Sequence, residues 1–217
     1  MKEFSIHGST IYLLPVIHGL AKEGEKVKNI FYKFHPECIA IGIAPEDIEL
    51  IDKIKDTENV EMPLQHQYYL IHLSKYGEVS LPPSDILVAN EISRKENIPL
   101  HAIDIDDETY ADMLTENVSI FSLIRHSRKI KKLAQKEFSA KTAEEFVYEW
   151  YNEINSIKSF RKIEEEREGR MAKAIIKLCG RYKKVLAVVP LEKYEGILKK
   201  LESYKKGKSI TEAWGKE

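Results

Sequence analysis

The 217-residue sequence lacks most of the features that identify a function at first sight. It has only two cysteines, Cys38 and Cys179, far apart and without a C-x-x-C pair, which argues against a disulfide framework. No apolar run approaches the roughly 18 residues of a membrane-spanning helix. The first residues also lack the basic start and long apolar stretch of a signal peptide. We therefore expect a globular cytoplasmic protein.

An excess of charge of either sign is also absent. Lys and Arg number 34 and Asp and Glu 35, which gives a net charge of -1 and a pI of about 6.7. This balance argues against a general binder of nucleic acid or of anionic membranes, since such proteins carry a basic excess. The phosphate-binding and hydrolase motifs G-x-G-x-x-G, the Walker loop, H-E-x-x-H and G-x-S-x-G are missing.

The sequence does contain short apolar segments that alternate with helical patterns. Residues 4–6 and 10–14 flank a turn sequence, which is typical of a hairpin. The short apolar runs at 38–44, 99–103 and 185–189 are typical of strands that are buried on both faces. Because helical patterns separate them, the sequence predicts an α/β fold with a mixed, mostly parallel sheet flanked by helices.

The segment 107–178 differs from the rest because it has no convincing strand and few Gly or Pro residues. We predict a long helical insertion here, before the last strand of a single domain that spans 1–217. Residues 205–217 are predicted to be a polar tail. The pattern after the expected N-cap Thr142 fits one helix or two, and residues 56–83 give no clear prediction.

Five short segments occur in a suggestive order along the chain: 9–18, 36–41, 91–104, 166–172 and 185–197. In this order they resemble the TraB family, which includes the Tiki proteases and pheromone-shutdown proteins. The family has a G-x-x-H turn after its first strand and a second G-x-x-H after its last. The resemblance implies an α/β domain with a metal site that contains two His ligands.

The chain departs from this family pattern where the metal would be held. The first G-x-x-H keeps His18 but has Pro15 for its Gly, and the second has Lys193 for its His. The family's Glu after the second strand falls on Gly42, and its Arg after the next strand falls on Ile105. The polar residues that survive are His18, Asp104, Glu166 and Arg167.

These departures lead to the predicted function. A catalytic metal needs about three protein ligands, commonly His and carboxylate. An ammonium about 4 Å from a divalent ion would repel it by roughly 8 kcal/mol at an effective dielectric of 20. We predict that Lys193 replaces the metal and pairs with Glu166 or another carboxylate, without a cofactor. The chain would then be a degenerate TraB-like domain that binds a peptide or protein partner through Arg167, Arg170 and Lys193.

Two other functions stay open. A metallopeptidase-like hydrolase would use His18, Asp104 and Glu166, with or without a divalent metal, and a metal is expected only for this function. A structural scaffold would form a homodimer through the helical insertion, although the apolar residues concerned would equally suit packing on the sheet. Those residues are Phe138, Phe146, Val147, Trp150, Tyr151 and Ile154.

Structural roles are the alternative for each candidate residue. His18 fits a capping or packing role, and the cluster Asp104, Asp106 and Asp107 fits the N-cap of the next helix. Arg167 would then hold Asp104 in a bidentate pair.

The densest basic run lies within the helical insertion. Its cations share one face of a helix, and we interpret this face as solvated rather than as a site for nucleic acid or an acidic partner. The residues are Arg125, Arg128, Lys129 and Lys132.

Overall fold

A computed structural model describes residues 1–53 and 62–207 of the chain, and its centre is a five-stranded sheet. The strands follow the spatial order β1-β2-β5-β3-β4; β1 is antiparallel to β2 and the other pairings are parallel. This confirms the predicted mixed, mostly parallel sheet. The strands are β1 (Lys2–Ile6), β2 (Ser9–Val16), β3 (Cys38–Ile41), β4 (Leu100–Ala102) and β5 (Lys184–Pro190).

Helices cover both faces of this sheet and its carboxyl edge. Their bounds are α1 (Lys22–Phe34), α2 (Pro45–Lys53), α3 (Leu64–Leu73), α4 (Ser84–Glu96), α5 (Asp107–Asn117), α6 (Ile120–Leu133), α7 (Ala143–Ile154), α8 (Lys158–Cys179) and α9 (Leu191–Lys205). The stretch after Thr142 is therefore two helices, and Thr142 caps the first of them as predicted. Among the residues described, no helix is long and apolar enough to cross a bilayer.

Parts of two predictions lie outside the described residues. The segment 56–83 had no clear prediction; the structure describes its residues 62–83, and Leu64–Leu73 of these form helix α3. Most of the predicted polar tail at 205–217 lies beyond residue 207.

The hairpin prediction is confirmed, and its turn explains the register of the first two strands. His7 and Gly8 both have a positive φ, 52° and 78°, which is the backbone of a two-residue turn of type I′. This turn places Ile6 opposite Ser9 and so pairs β1 with β2. The turn therefore determines which side chains of β2 face each layer of helices.

Alternate residues of the strands form two separate cores. On one face, Ile11 and Leu13 of β2 pack in the cluster that includes α8 and α9. On the other face, Tyr12 and Leu14 pack in the cluster that includes α1 and α4. Every residue of β3 is fully buried, as its continuous apolar run predicts. Burial of each of the two isoleucines, Ile39 and Ile41, stabilises the fold by roughly 1.5–3 kcal/mol.

The helices between β4 and β5 do not form one separate arm. Helix α8 covers a face of the sheet, whereas α6 and α7 pack with α3 in a third cluster near the carboxyl edge. The apolar residues Phe146, Val147 and Trp150 of α7 are at most 4% exposed in this cluster. The surface that the homodimer hypothesis relied on is thus largely inside the fold.

Candidate functional site

A pocket of about 730 Å³ opens at the carboxyl edge of the parallel strands. One lining residue follows each of these strands: His18 after β2, Gly42 after β3, Asp104 after β4 and Lys193 after β5. Because parallel strands end at the same edge, residues far apart in the sequence meet there. The structure thus brings together four of the positions that the sequence analysis singled out.

The pocket has polar groups at the strand ends and a more apolar wall made by the covering helices. This wall includes Leu70, Ile86, Ile105, Ile154 and Phe160 and the three tyrosines Tyr69, Tyr110 and Tyr151. Burial raises the pKa of all three tyrosines, so their hydroxyls stay protonated at neutral pH. A cavity of this size and mixed lining suits an organic ligand or a peptide segment.

A chain of alternating charges crosses the polar side of the pocket. The Lys193 ammonium donates a short hydrogen bond to one oxygen of Glu164. The other oxygen of Glu164 accepts from Arg167 Nη1 at 2.7 Å. Arg167 also donates from Nε and Nη2 to the two oxygens of Asp104, at 3.1 and 2.6 Å. The bidentate pair that the sequence allowed is therefore present, with the carboxylate of Asp104 almost fully buried.

Neighbouring charges shift the pKa values of Glu164 and Arg167 in opposite directions. Burial by itself would raise the pKa of Glu164, but the charges and hydrogen bonds of Lys193 and Arg167 outweigh burial and lower the pKa from 4.5. Burial would lower the pKa of Arg167, and here Glu164 and Asp104 outweigh it and raise the pKa. At neutral pH Glu164 is therefore an anion and Arg167 a cation.

His18 belongs to a second buried pair. Its Nδ1 lies 2.7 Å from Oδ2 of Asp85, which is completely buried in the first turn of α4. Burial would lower the pKa of His18, but the charge and hydrogen bond of Asp85, with Glu192 and Glu23, raise it from 6.5 to about 9. His18 is therefore an imidazolium at neutral pH. In the described part of the chain, its buried Nε2 has no hydrogen-bond partner.

Two predicted site residues lie away from the pocket. Glu166 and Arg170 pair with each other at 3.1 Å on the outer face of α8, with side chains 43% and 47% exposed. The partner of Lys193 is Glu164, two residues before Glu166, which is the other carboxylate that the prediction allowed. The reason is helix geometry, because each residue turns by about 100° and a step of two moves a side chain to the opposite face.

The three aspartates after β4 have different roles. Asp106 caps α5, since its side chain accepts a hydrogen bond from the Thr109 backbone N–H at 2.7 Å. Asp104 instead holds Arg167, and Asp107 lines the pocket rim. The predicted N-cap is therefore confirmed for one aspartate of the cluster.

Sequence reasoning missed Glu164 and Asp85. Glu164 stands three residues before Arg167, a spacing that allows an ion pair on one helix face but leaves open which face is buried. Asp85 meets His18 across 67 residues, and its place after two prolines indicated only the start of a helix. The tertiary fold alone shows that Glu164 lines the pocket and that Asp85 holds His18, which lines it.

The residues present do not fit the metal that the TraB resemblance implies. In the ranges 1–53 and 62–207, no group of three or more His, Cys, Asp or Glu side chains is placed to hold a metal ion. Asp104 and Glu164 already bind cationic side chains, and His18 is protonated at neutral pH. The donor chemistry of this pocket therefore does not suit a divalent ion.

Comparisons with known proteins add no identification. No protein-family model matches the chain, and no curated protein matches its sequence. The TraB resemblance consequently stays a prediction that rests on the short segments described above.

Proposed function

We propose that this chain is a non-hydrolytic binding domain whose pocket takes a segment of a peptide or of a partner protein. The observation that carries the proposal is the buried chain Lys193–Glu164–Arg167–Asp104 at the carboxyl edge of the sheet. These side chains satisfy one another, so the carboxylates are not available as metal ligands or as general bases. What is left for a ligand is the aromatic and apolar wall and its polar rim.

The contact between Gly42 and Pro190 supports the same proposal. A Cβ atom on Gly42 would lie 2.6 Å from Cδ of Pro190 and 3.4 Å from Cα of Val189, so no larger side chain fits there. Gly42 is where the TraB pattern has a Glu, and Pro190 is where it has the Gly of the second G-x-x-H. These two departures contact each other, as expected if the pocket has been remodelled as a unit.

The chemistry of the lining residues also favours binding over turnover. Among the described residues that line the pocket, there is no Ser, Thr or Cys to act as a nucleophile. His18 is the strongest candidate for a general base, and its pKa of about 9 keeps it protonated at neutral pH. The described lining therefore offers no hydroxyl or thiol nucleophile for acyl transfer, and His18 at the strand end is protonated.

A two-part experiment tests this proposal with a mixed-sequence peptide library. In the first part, quenched fluorescent peptides are incubated with the full-length protein, with added Zn²⁺ or Mn²⁺ or with a chelator. We expect no cleavage of the peptides, whether a metal ion or the chelator is added. Cleavage that the chelator abolishes would overturn the proposal.

The second part measures binding of library peptides in the presence of the chelator. We expect a subset of peptides to bind and Tyr110→Ala, in the pocket wall, to weaken that binding by about tenfold or more. The matched control is Tyr32→Ala, since Tyr32 lies on α1 and its hydroxyl bonds to Glu96 outside the pocket. Equal binding by the two variants, or no binding by the wild-type chain, would contradict the proposal.

One observation favours hydrolysis as a second candidate function. Asp85 holds the imidazole of His18 as a carboxylate holds a catalytic histidine, although Asp104 is engaged by Arg167 and Glu166 lies outside the pocket. A hydrolase of this kind would need the neutral imidazole, so its rate would rise with pH up to about 9. Activity with this pH profile that is lost in His18→Gln and kept in Glu166→Gln would establish it.

A further inference from the structure

Helix α6, Ile120–Leu133, has an unusual distribution of charge. It carries five Lys or Arg residues and no Asp or Glu, whereas the whole chain is close to neutral. One helix therefore has a strongly basic surface although the net charge of the whole chain is close to zero. One residue of α6, His126, lines the pocket, whereas the exposed cations Arg125, Arg128 and Lys132 are not among the described lining residues. The role of these cations is therefore independent of the function proposed for the pocket.

The outer face of α6 is a continuous stripe. Phe121, Arg125, Arg128 and Lys132 stand at i, i+4, i+7 and i+11, which places them along one side of the helix. All four are exposed, and Phe121 is 85% exposed. The opposite side holds the helix in the fold, since Leu133 is buried and the ring of His126 stacks on a phenylalanine of α8 at 3.9 Å.

Apolar side chains are exposed at the start of the same helix. Ile120 is 73% exposed and Phe121 85%, and Leu123 and Ile124 are 41% and 44% exposed. Ser119 caps this end by accepting a hydrogen bond from the backbone N–H of Ser122, so the exposed residues belong to a formed helical turn. Four large apolar residues together in water are costly and indicate a binding surface.

Within residues 1–53 and 62–207, the cations on the stripe differ from those beside it in their contacts with carboxylates. Lys129 and Lys136, at the side of the stripe, both bind Glu153, at 2.6 and 2.5 Å. In contrast, no carboxylate of residues 1–53 or 62–207 forms an ion pair with Arg125, Arg128 or Lys132. Three cations therefore remain available to an anionic partner beside the apolar turn.

We propose that α6 docks on the surface of an anionic lipid bilayer. Ile120 and Phe121 enter the boundary between head groups and acyl chains, and Arg125, Arg128 and Lys132 contact lipid phosphate and carboxylate groups. A basic helix with an exposed apolar turn has the pattern of a helix that lies in the membrane interface. A bilayer satisfies both parts of the surface at once, whereas the nucleic-acid backbone would pair with the cations alone.

Co-sedimentation with sucrose-loaded vesicles tests the proposal with the full-length protein. One set of vesicles contains about a quarter phosphatidylserine in phosphatidylcholine, and the other contains phosphatidylcholine alone. We expect binding to the anionic vesicles only, and weaker binding as salt is raised. Arg125→Gln/Arg128→Gln/Lys132→Gln should lower the partition coefficient by about tenfold or more. Phe121→Ser should lower it by roughly tenfold through lost apolar burial.

Matched controls separate a local surface from a general charge effect. Lys22→Gln/Lys28→Gln/Lys33→Gln removes the same charge from α1, and Leu50→Ser removes a half-exposed apolar side chain from α2. Both controls should bind vesicles as the wild-type chain does. Thermal unfolding of every variant shows that the fold is kept.

Several results would overturn the proposal. These are equal binding to both kinds of vesicle, no binding to either, or an equal loss in the α1 control and the α6 triple variant. Salt-dependent binding to RNA or duplex DNA without lipid binding would assign the surface to nucleic acid instead. Self-association that Phe121→Ser abolishes, again without lipid binding, would assign it to a second copy of the chain.

Discussion

Helix α8 carries two ion pairs of almost the same spacing on opposite faces. Glu164 and Arg167 stand three residues apart, with side chains 10% and 25% exposed, and face the pocket. Glu166 and Arg170 stand four residues apart and are 43% and 47% exposed. The inner pair continues at both ends into oppositely charged groups from other elements, whereas the outer pair is surrounded by solvent.

Sequence spacing therefore shows where an ion pair can form on a helix, but not how much the pair contributes to the free energy of unfolding. Exposed pairs on a helix contribute about 0.3–0.5 kcal/mol, because water and salt screen them. Removing one partner of a buried pair costs about 3–5 kcal/mol, since a charge is left without compensation. The contrast between Glu164–Arg167 and Glu166–Arg170 is therefore one of environment.

The largest effect should come from the end of the inner chain. We expect Lys193→Ala to lower the free energy of unfolding by about 3–5 kcal/mol, because Glu164 would stay buried without its ammonium. Urea unfolding measures the change, and Lys199→Ala on the exposed side of α9 should cost less than about 0.5 kcal/mol. A loss below about 1 kcal/mol in Lys193→Ala would contradict the buried environment assigned to Glu164.

The pair His18–Asp85 should make the stability of the fold depend on pH in the alkaline range. The raised pKa of His18 means that its contribution is complete below pH 6.5 and is lost as pH rises through about 9. We expect the unfolding free energy to fall over this range by no more than about 3 kcal/mol. His18→Gln should remove this pH dependence, and His7→Asn in the exposed hairpin turn should keep it. If His18→Gln keeps the same dependence of the unfolding free energy on pH, then His18 is not the group responsible for it.

Measurements of stability at acid pH compare the two faces of α8 directly. The pKa of Glu164 is lowered, so its contribution is present above pH 4.5 and is lost as pH falls through its lower folded pKa. Glu164→Gln should cost about 1–3 kcal/mol at neutral pH and flatten the acid limb of the stability curve. Glu166→Gln is the matched control, and the same acid limb in both variants would show that the faces do not differ.

The smallest effect should come from the outer pair. We expect Arg170→Ala to change the free energy of unfolding by less than about 0.5 kcal/mol at low salt, because the pair is half exposed. Added salt should remove even this difference. A cost above about 1 kcal/mol would mean that Arg170 packs against its neighbours more than its exposure indicates.

Much of the fold could be predicted because its signals are local. The apolar run of β3, the turn at Gly8 and the cap at Thr142 each correspond to a structure that a few neighbouring residues determine. Helix α3 was ambiguous because its apolar residues do not follow one face, and the break between α7 and α8 has no Gly or Pro. These features depend on packing between elements that are distant in sequence.

The site was predictable only in part, for the same reason. The ends of predicted strands, together with the TraB resemblance, indicated His18, Asp104 and Lys193, and the structure places all three on the pocket. Glu164 and Asp85 could not be separated from the many other acidic residues of a chain in which 32% of residues are charged.

Local patterns were enough to predict the five strands, most of the helices and the edge of the sheet where polar residues gather, because periodicity and strand ends are properties of neighbouring residues. Only the tertiary structure decided which face of α8 is buried, which carboxylate meets Lys193 and which aspartate raises the pKa of His18. Those outcomes depend on burial, which changes the strength of a charge interaction several-fold and is set by contacts between distant segments.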